Sequence, residues 1–135
     1  MEYKELLTAL AAACGLDRLE PDESNMVHLG AQGTALTIVA EDETRTVVLL
    51  SEIGSLPAEG RERFFAEALK ANWLFRGGGG ATLAINPETD ALALNQALPL
   101  DMLDGEGFVG AVRRFLAFLV RWRTLARNWS DAVEA

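Results

Sequence analysis

The sequence predicts an α/β (α+β) protein in the order α-β-β-β-α-β-β-α, with a twisted antiparallel sheet packed against helices and a homodimeric assembly. Three observations lead there. Apolar residues recur at helical spacing near both ends and in the middle of the chain. Between these segments lie short apolar runs of strand length, bounded by Gly, Pro, Asn and Asp. The middle helix also carries more large apolar side chains than one core-facing stripe can use, which asks for a second burial surface.

Tyr3, Leu6, Leu7, Leu10 and Cys14 fall on one face of a first helix, and Gly15 is placed to end it. Cys14 is then expected as a small buried hydrophobe. A polar connection follows from Asp17 to Asn25. Met26 to Leu29, Ala35 to Ala40 and Thr46 to Leu50 read as three strands of an antiparallel meander, turning at Ala31-Gln32-Gly33 and at the acidic tip Glu41-Asp42-Glu43. Val47 to Leu50 place apolar side chains on both faces of the third strand. Leu36 and Ile38, opposed to Ala35 and Val39, do much the same in the second. A sheet with one wet face alternates apolar and polar residues, so both faces are expected to be covered. The chain's own helices cover one; a further helix or a partner covers the other.

Ser55-Leu56-Pro57 reads as a helix start, with Pro57 in the first turn, where its missing N–H does little harm. Phe64, Phe65, Ala68, Leu69, Asn72, Trp73 and Phe75 give that helix, ending near Phe75, a wide apolar surface. Each large side chain contributes roughly 1.5–3 kcal/mol when buried, so leaving several in water forgoes several kcal/mol. The alternative is that Trp73 and Phe75 are ordinary core. Gly77 to Gly80 form a flexible link into a hairpin of Ala81 to Ile85 and Ala91 to Leu94, turning on Asn86-Pro87-Glu88-Thr89-Asp90. Pro99 argues against a central strand continuing through Leu98 and Leu100. Asp104 caps the last helix, although Gly105 and Gly107 weaken its start. Phe108, Val112, Phe115, Leu116 and Leu119 form that helix's apolar face, while Arg113, Arg114, Arg121, Arg123 and Arg127 mostly lie elsewhere. Residues 1–128 are expected to form one domain, and 129–135 a flexible tail from which Trp129 can dock back.

The chain has 135 residues and a net charge of −8, which argues against a nucleic-acid binder, because phosphate contacts need a clustered basic face. Residues 1–60 hold eleven Asp or Glu against Lys4, Arg18 and Arg45, so the negative excess belongs entirely to the first half. Such a field steers a basic or polar partner there, or is a plain solvated surface. A single cysteine fits a reducing compartment. Leu10-Ala11-Ala12-Ala13-Cys14 loosely matches a lipoprotein cleavage site, but Glu2 and Glu5 stand where a basic leader belongs, and no stretch reaches membrane-span length.

Catalytic constellations are scarce. His28 is the only histidine, which rules out a histidine-based metal cluster, and one cysteine cannot build a zinc site. Cys14 and His28 could pair as nucleophile and base, but nothing in the pattern activates the thiol. The glycine run lacks the Lys-Ser or Lys-Thr of a phosphate loop and opens a strand instead of a helix. No catalytic residue, metal or cofactor is expected, and the residues alone describe a dimeric, cytoplasmic, non-catalytic binding module.

Residues 68–108, ALKANWLFRGGGGATLAINPETDALALNQALPLDMLDGEGF, resemble the central signature of the class I type III secretion chaperones, the Tir chaperone family. Asn72, Gly77 to Gly80, Pro87 to Thr89, Leu98 to Leu100 and the helix from Asp104 correspond to its pattern. The resemblance implies a chaperone that keeps the N-terminal segment of a secreted effector extended and secretion-competent. It would deliver that segment to a type III export apparatus, whose ATPase is a candidate further partner. It also implies a two-fold interface on the second helix and adjoining hairpin, carried here to Phe65, Leu69, Trp73 and Leu83. Apolar anchors and backbone pairing at a strand edge would hold the effector. The candidate contacts are Leu6, Leu7 and Leu10 on the first helix, with Leu36, Ile38, Val47 and Leu49 on the strands. The alternative is a dimeric regulatory or adaptor protein of the same fold that binds a folded cytoplasmic partner. No membrane or nucleic-acid partner is expected on either reading.

Overall fold

A computed structural model describes residues 2–31 and 34–129. Its elements are α1 (Tyr3–Cys14), β1 (Met26–Ala31), β2 (Thr34–Glu41), β3 (Thr46–Gly54), α2 (Arg61–Ala71), β4 (Thr82–Ile85), β5 (Leu92–Pro99) and α3 (Gly105–Arg127). The order is the expected one. The strands form one five-stranded sheet in the order β1-β2-β3-β5-β4, which leaves β1 and β4 at its edges. The chain divides into two compact units, residues 1–50 with 97–114 and residues 51–96 with 115–135.

In the first unit, α1 ends where Gly15 turns left-handed at φ 72°. Leu16 N–H bonds back to the Ala11 carbonyl at 2.9 Å and Gly15 N–H to that of Ala12 at 3.3 Å, which satisfies the last carbonyls of the helix. Leu6, Leu7, Leu10 and Ala11 are its buried face. Cys14, expected inside, is exposed; it is the last helical residue, where the chain turns away. Antiparallel register pairs Val27 with Ile38 and Ile38 with Leu49, so these residues share one face, together with Leu36 and Val47. At the β2–β3 turn Arg45 adopts φ 49°. Its guanidinium donates to both Asp101 carboxylate oxygens, at 2.8 and 2.9 Å from the nearer, and to Glu2 at 3.0 Å. The Arg45 hydrogen bonds hold the Asp101 carboxyl below its ordinary range. Gln32 and Gly33 of the expected first turn lie outside the described residues.

In the second unit, α2 begins at Arg61, not at Ser55 to Pro57. Gly60 is left-handed at φ 67°, a conformation a continuing helix cannot include. The Pro57 carbonyl instead accepts a 2.7 Å bond from the Arg61 guanidinium. The helix also stops early, at Ala71, and a 3₁₀ segment runs from Trp73 to Gly78 with Leu74 and Phe75 both at positive φ. A methyl group on Gly77 would lie 2.3 Å from the Ala71 side chain, so only glycine permits this reversal. The hairpin forms with Leu83 opposite Leu94, and Glu52 of β3 secures its turn by accepting bonds from Asn86 and Thr89. β5 continues to Pro99 because that proline is its last residue, where no further ladder bond is required. Trp122 donates to the Gly77 carbonyl at 2.8 Å. Trp129, expected in the tail, is buried: its indole donates to Gly60 at 2.9 Å and its ring meets Phe64 edge-on at 5.1 Å. Residues 130–135 of that tail lie outside the described residues.

In α3, Asp104 accepts the Gly107 N–H at 2.7 Å, the expected cap. Phe108, Val112, Phe115 and Leu119 are buried, and Leu116 is half-buried.

Candidate functional site

The seven residues expected to contact an effector, Leu6, Leu7, Leu10, Leu36, Ile38, Val47 and Leu49, are each at most 2 % exposed. They form the core between α1 and the sheet and offer a partner no surface. The reason lies in the period of two. Thr37 and His28 face each other across β1 and β2, and a 3.1 Å contact joins them. Residues in step with them, Met26, Val39, Val48 and Leu50, therefore share the wetter face and are half-buried. Thr37 between Leu36 and Ile38 was the signal that could have identified the outer face.

Beside that face runs the edge strand β1. At its start, Asp22 closes the backbone: its N–H donates to the Met26 carbonyl at 2.8 Å, and its carboxylate accepts the Met26 N–H at 3.0 Å. Those bonds, first from Met26 and then from Ser24, hold the Asp22 carboxyl below its ordinary range. Tyr3 donates to the Asn25 carbonyl at 3.0 Å, and burial pushes its hydroxyl up to about 12. Backbone groups alternate direction along a strand, so His28 and Gly30 turn the same way as Met26. Their outward N–H and C=O groups have no partner among the described residues. A side chain added at Gly30 would meet nothing within 4 Å.

The opposite edge, β4, is closed by the chain itself. The Asn72 amide donates to the Leu83 carbonyl at 3.0 Å and accepts the Leu83 N–H at 2.8 Å. Ala81 N–H bonds to the Gly78 carbonyl at 3.2 Å. The side chain of Asn72 thus does what a neighbouring strand's backbone would do.

Of the residues expected at a two-fold interface, Phe65, Leu69 and Leu83 line one groove, and Trp73 is not among its lining residues. Phe65, Ala68, Leu69, Asn72, Leu83, Ala84, Ile85 and Leu92 line an apolar groove of about 280 Å³. Leu69 is 72 % exposed and Trp73 69 %, Phe65 is half-buried, and Leu83 is buried as the floor. Leu74, Phe75 and Ile85 add exposed apolar surface next to them. Sequence periodicity could not find Leu74, because it assumed one helix through Phe75. Among the described residues, no group of three or more His, Cys, Asp or Glu is placed to hold a metal ion, and no helix is long and apolar enough to cross a membrane.

An α+β chain with one backbone-open sheet edge and one large apolar patch is built to bind other polypeptides. A model of the Tir chaperone protein (CesT) family matches residues 5–123, and the chain belongs to that family. No curated protein sequence matches it. Among solved structures it is similar to the HopA1–SchA chaperone–effector complex, with 20 % identity, 93 % of each chain covered and a TM-score of 0.71. It is also similar to the type III secretion chaperone SycH of Yersinia pestis, solved with a fragment of YscM2; identity is 17 %, coverage 89 % of this chain and 98 % of that one, and the TM-score 0.73. YbjN of E. coli, a candidate transcription regulator, shares 16 % identity over 92 % of this chain and 90 % of its own, at a TM-score of 0.63. At these identities the likeness is one of fold.

Proposed function

We propose that the chain is a non-catalytic, cytoplasmic secretion chaperone that binds the N-terminal segment of an effector in extended form and keeps it competent for type III export. The observation that carries this is the family match over residues 5–123. The β1 edge gives it a mechanism: an extended segment adds a strand at His28 and Gly30 and lays apolar side chains over Met26, Val39, Val48 and Leu50. Main-chain pairing holds any sequence, and alternate side chains select among them. The acidic excess of the first half favours a basic segment. A second copy covers the α2–β4 groove by two-fold contact through Leu69, Trp73 and Leu83, and docking to the export ATPase follows once the effector is bound.

Gly30→Pro tests the strand-edge mechanism. It removes one outward N–H without entering the core, and edge positions tolerate proline. The expected outcome is an unchanged thermal midpoint with loss of effector co-purification. A variant that retains its effector in full would rule out pairing at β1. An effector bound as a compact, protease-resistant domain, with no protected N-terminal segment, would favour the regulatory or adaptor reading instead, a reading to which the likeness to YbjN gives some weight.

A further inference from the structure

Gly30 belongs to the open edge strand β1, yet nothing inside the chain calls for a glycine there. Its φ is not positive, and a methyl group added to it would meet nothing within 4 Å among the described residues. Gly77 is the contrast, since a methyl there would strike Ala71. A glycine in a strand weakens it, because it costs backbone entropy and packs no side chain. Where neither backbone conformation nor internal packing requires the glycine, its remaining structural use is close approach from outside.

The neighbours on its face fit that use. Register pairs Gly30 with Ala35, His28 with Thr37 and Met26 with Val39, so the outer face of these two strands steps from small through polar to apolar. Gly30 and Ala35 are both exposed. At the start of β1, Asp22 occupies both outward backbone groups of Met26. That confines the backbone pairing of an added strand to His28 and Gly30 and fixes its register. An antiparallel strand sets one residue opposite each of them, two positions apart, with both side chains on the outer face.

We propose that the residue of the bound segment opposite Gly30 is aromatic, and that Gly30 selects it. The proposal rests on the strand-edge reading above and adds to it which side chain that edge favours. Two strand spacings, about 10 Å, separate an added strand from β2. A flat ring lies across the bare glycine backbone and reaches the Ala35 methyl, a distance that leucine does not span. Pairing an aromatic residue across the strands from an edge glycine covers backbone that the glycine leaves in water. A side chain at residue 30 would hold the ring away from both.

The test is an NMR titration of the isotope-labelled full chain with synthetic peptides of about ten residues. They alternate threonine and lysine and carry phenylalanine, leucine or alanine at one central threonine position. The phenylalanine peptide is expected to bind about fivefold tighter than the alanine peptide. It should protect the His28 and Gly30 amides from exchange, leave that of Met26 unchanged, and move the Gly30 α-proton resonances by its ring current. Gly30→Val is expected to fold with an unchanged or higher thermal midpoint and to bind the phenylalanine and alanine peptides alike. If alanine or leucine binds as tightly as phenylalanine while His28 and Gly30 are still protected, the aromatic selection is overturned and the strand edge stands. A ring-current shift centred elsewhere, or a folded Gly30→Val that keeps the preference, has the same consequence. Failure of every peptide to protect either amide would overturn the strand-edge reading and this proposal together. The peptide comparison uses the unaltered protein, so it decides the matter even if the variant fails to fold.

Discussion

Asn72 shows how much one side chain can carry. Its two bonds to Leu83 complete the backbone of an edge strand and fasten the end of α2 to it. Asn72→Ala leaves a part-buried N–H and C=O unpaired and should cost about 1–3 kcal/mol, read as a lower urea midpoint at unchanged slope. Arg45 and Asp101 form the other single-residue clasp, and here pH is the lever. The Asp101 carboxyl is held below its ordinary value in the folded state, so its contribution is fully present at neutral pH. It is lost as acidification carries the solution through the depressed value, where both states are protonated. Asp101→Asn should therefore lower the melting temperature at pH 7 and flatten its fall in acid. An unchanged acid limb would mean that other carboxylates, Asp22 among them, govern it.

Period and composition made the elements legible, but not which face of each strand looks inward. Helical spacing gave α1 and α3, and turn residues gave the hairpin, because those signals are local. The choice between Leu36 and Ile38 on one face and Val39 with Val48 on the other depends on which side α1 covers, a contact between residues far apart in the chain. Size decided it: the bulkier, wholly apolar set went inside, and the set containing Thr37 stayed at the surface. This gives a paired prediction. Ile38→Asp buries an unpaired charge and should abolish cooperative unfolding, whereas Val39→Asp should leave the fold intact and weaken effector binding. Both outcomes are readable by circular dichroism and co-purification. The end of α2 was hidden for another reason. Leu74 and Phe75 at positive φ have no propensity signal, since neither residue type favours that region. Holding them there costs on the order of 1–3 kcal/mol each, and it leaves Trp73, Leu74 and Phe75 exposed side by side.

For the molecule as a whole, the apolar surface left in water is where association would act on stability. If two copies cover the α2–β4 groove, the thermal midpoint should rise with protein concentration, because a partner that binds only the folded state stabilises it by mass action. Trp73→Ala should remove that dependence and halve the mass seen by sedimentation equilibrium. A concentration-independent midpoint for the unaltered chain would instead assign the patch to a different protein. The two sheet edges bear on another hazard of association. An open edge lets one copy's strand template the next, which is how β fibres grow. Growth on the β4 side is blocked by the bonds that Ala81 and Leu83 already make within the chain, which leaves β1 as the edge at which a strand can add. With one edge closed, a copy that accepts a strand cannot offer a free edge on its far side to the next, and the strand it does accept can be peeled off from one end, a few backbone bonds at a time.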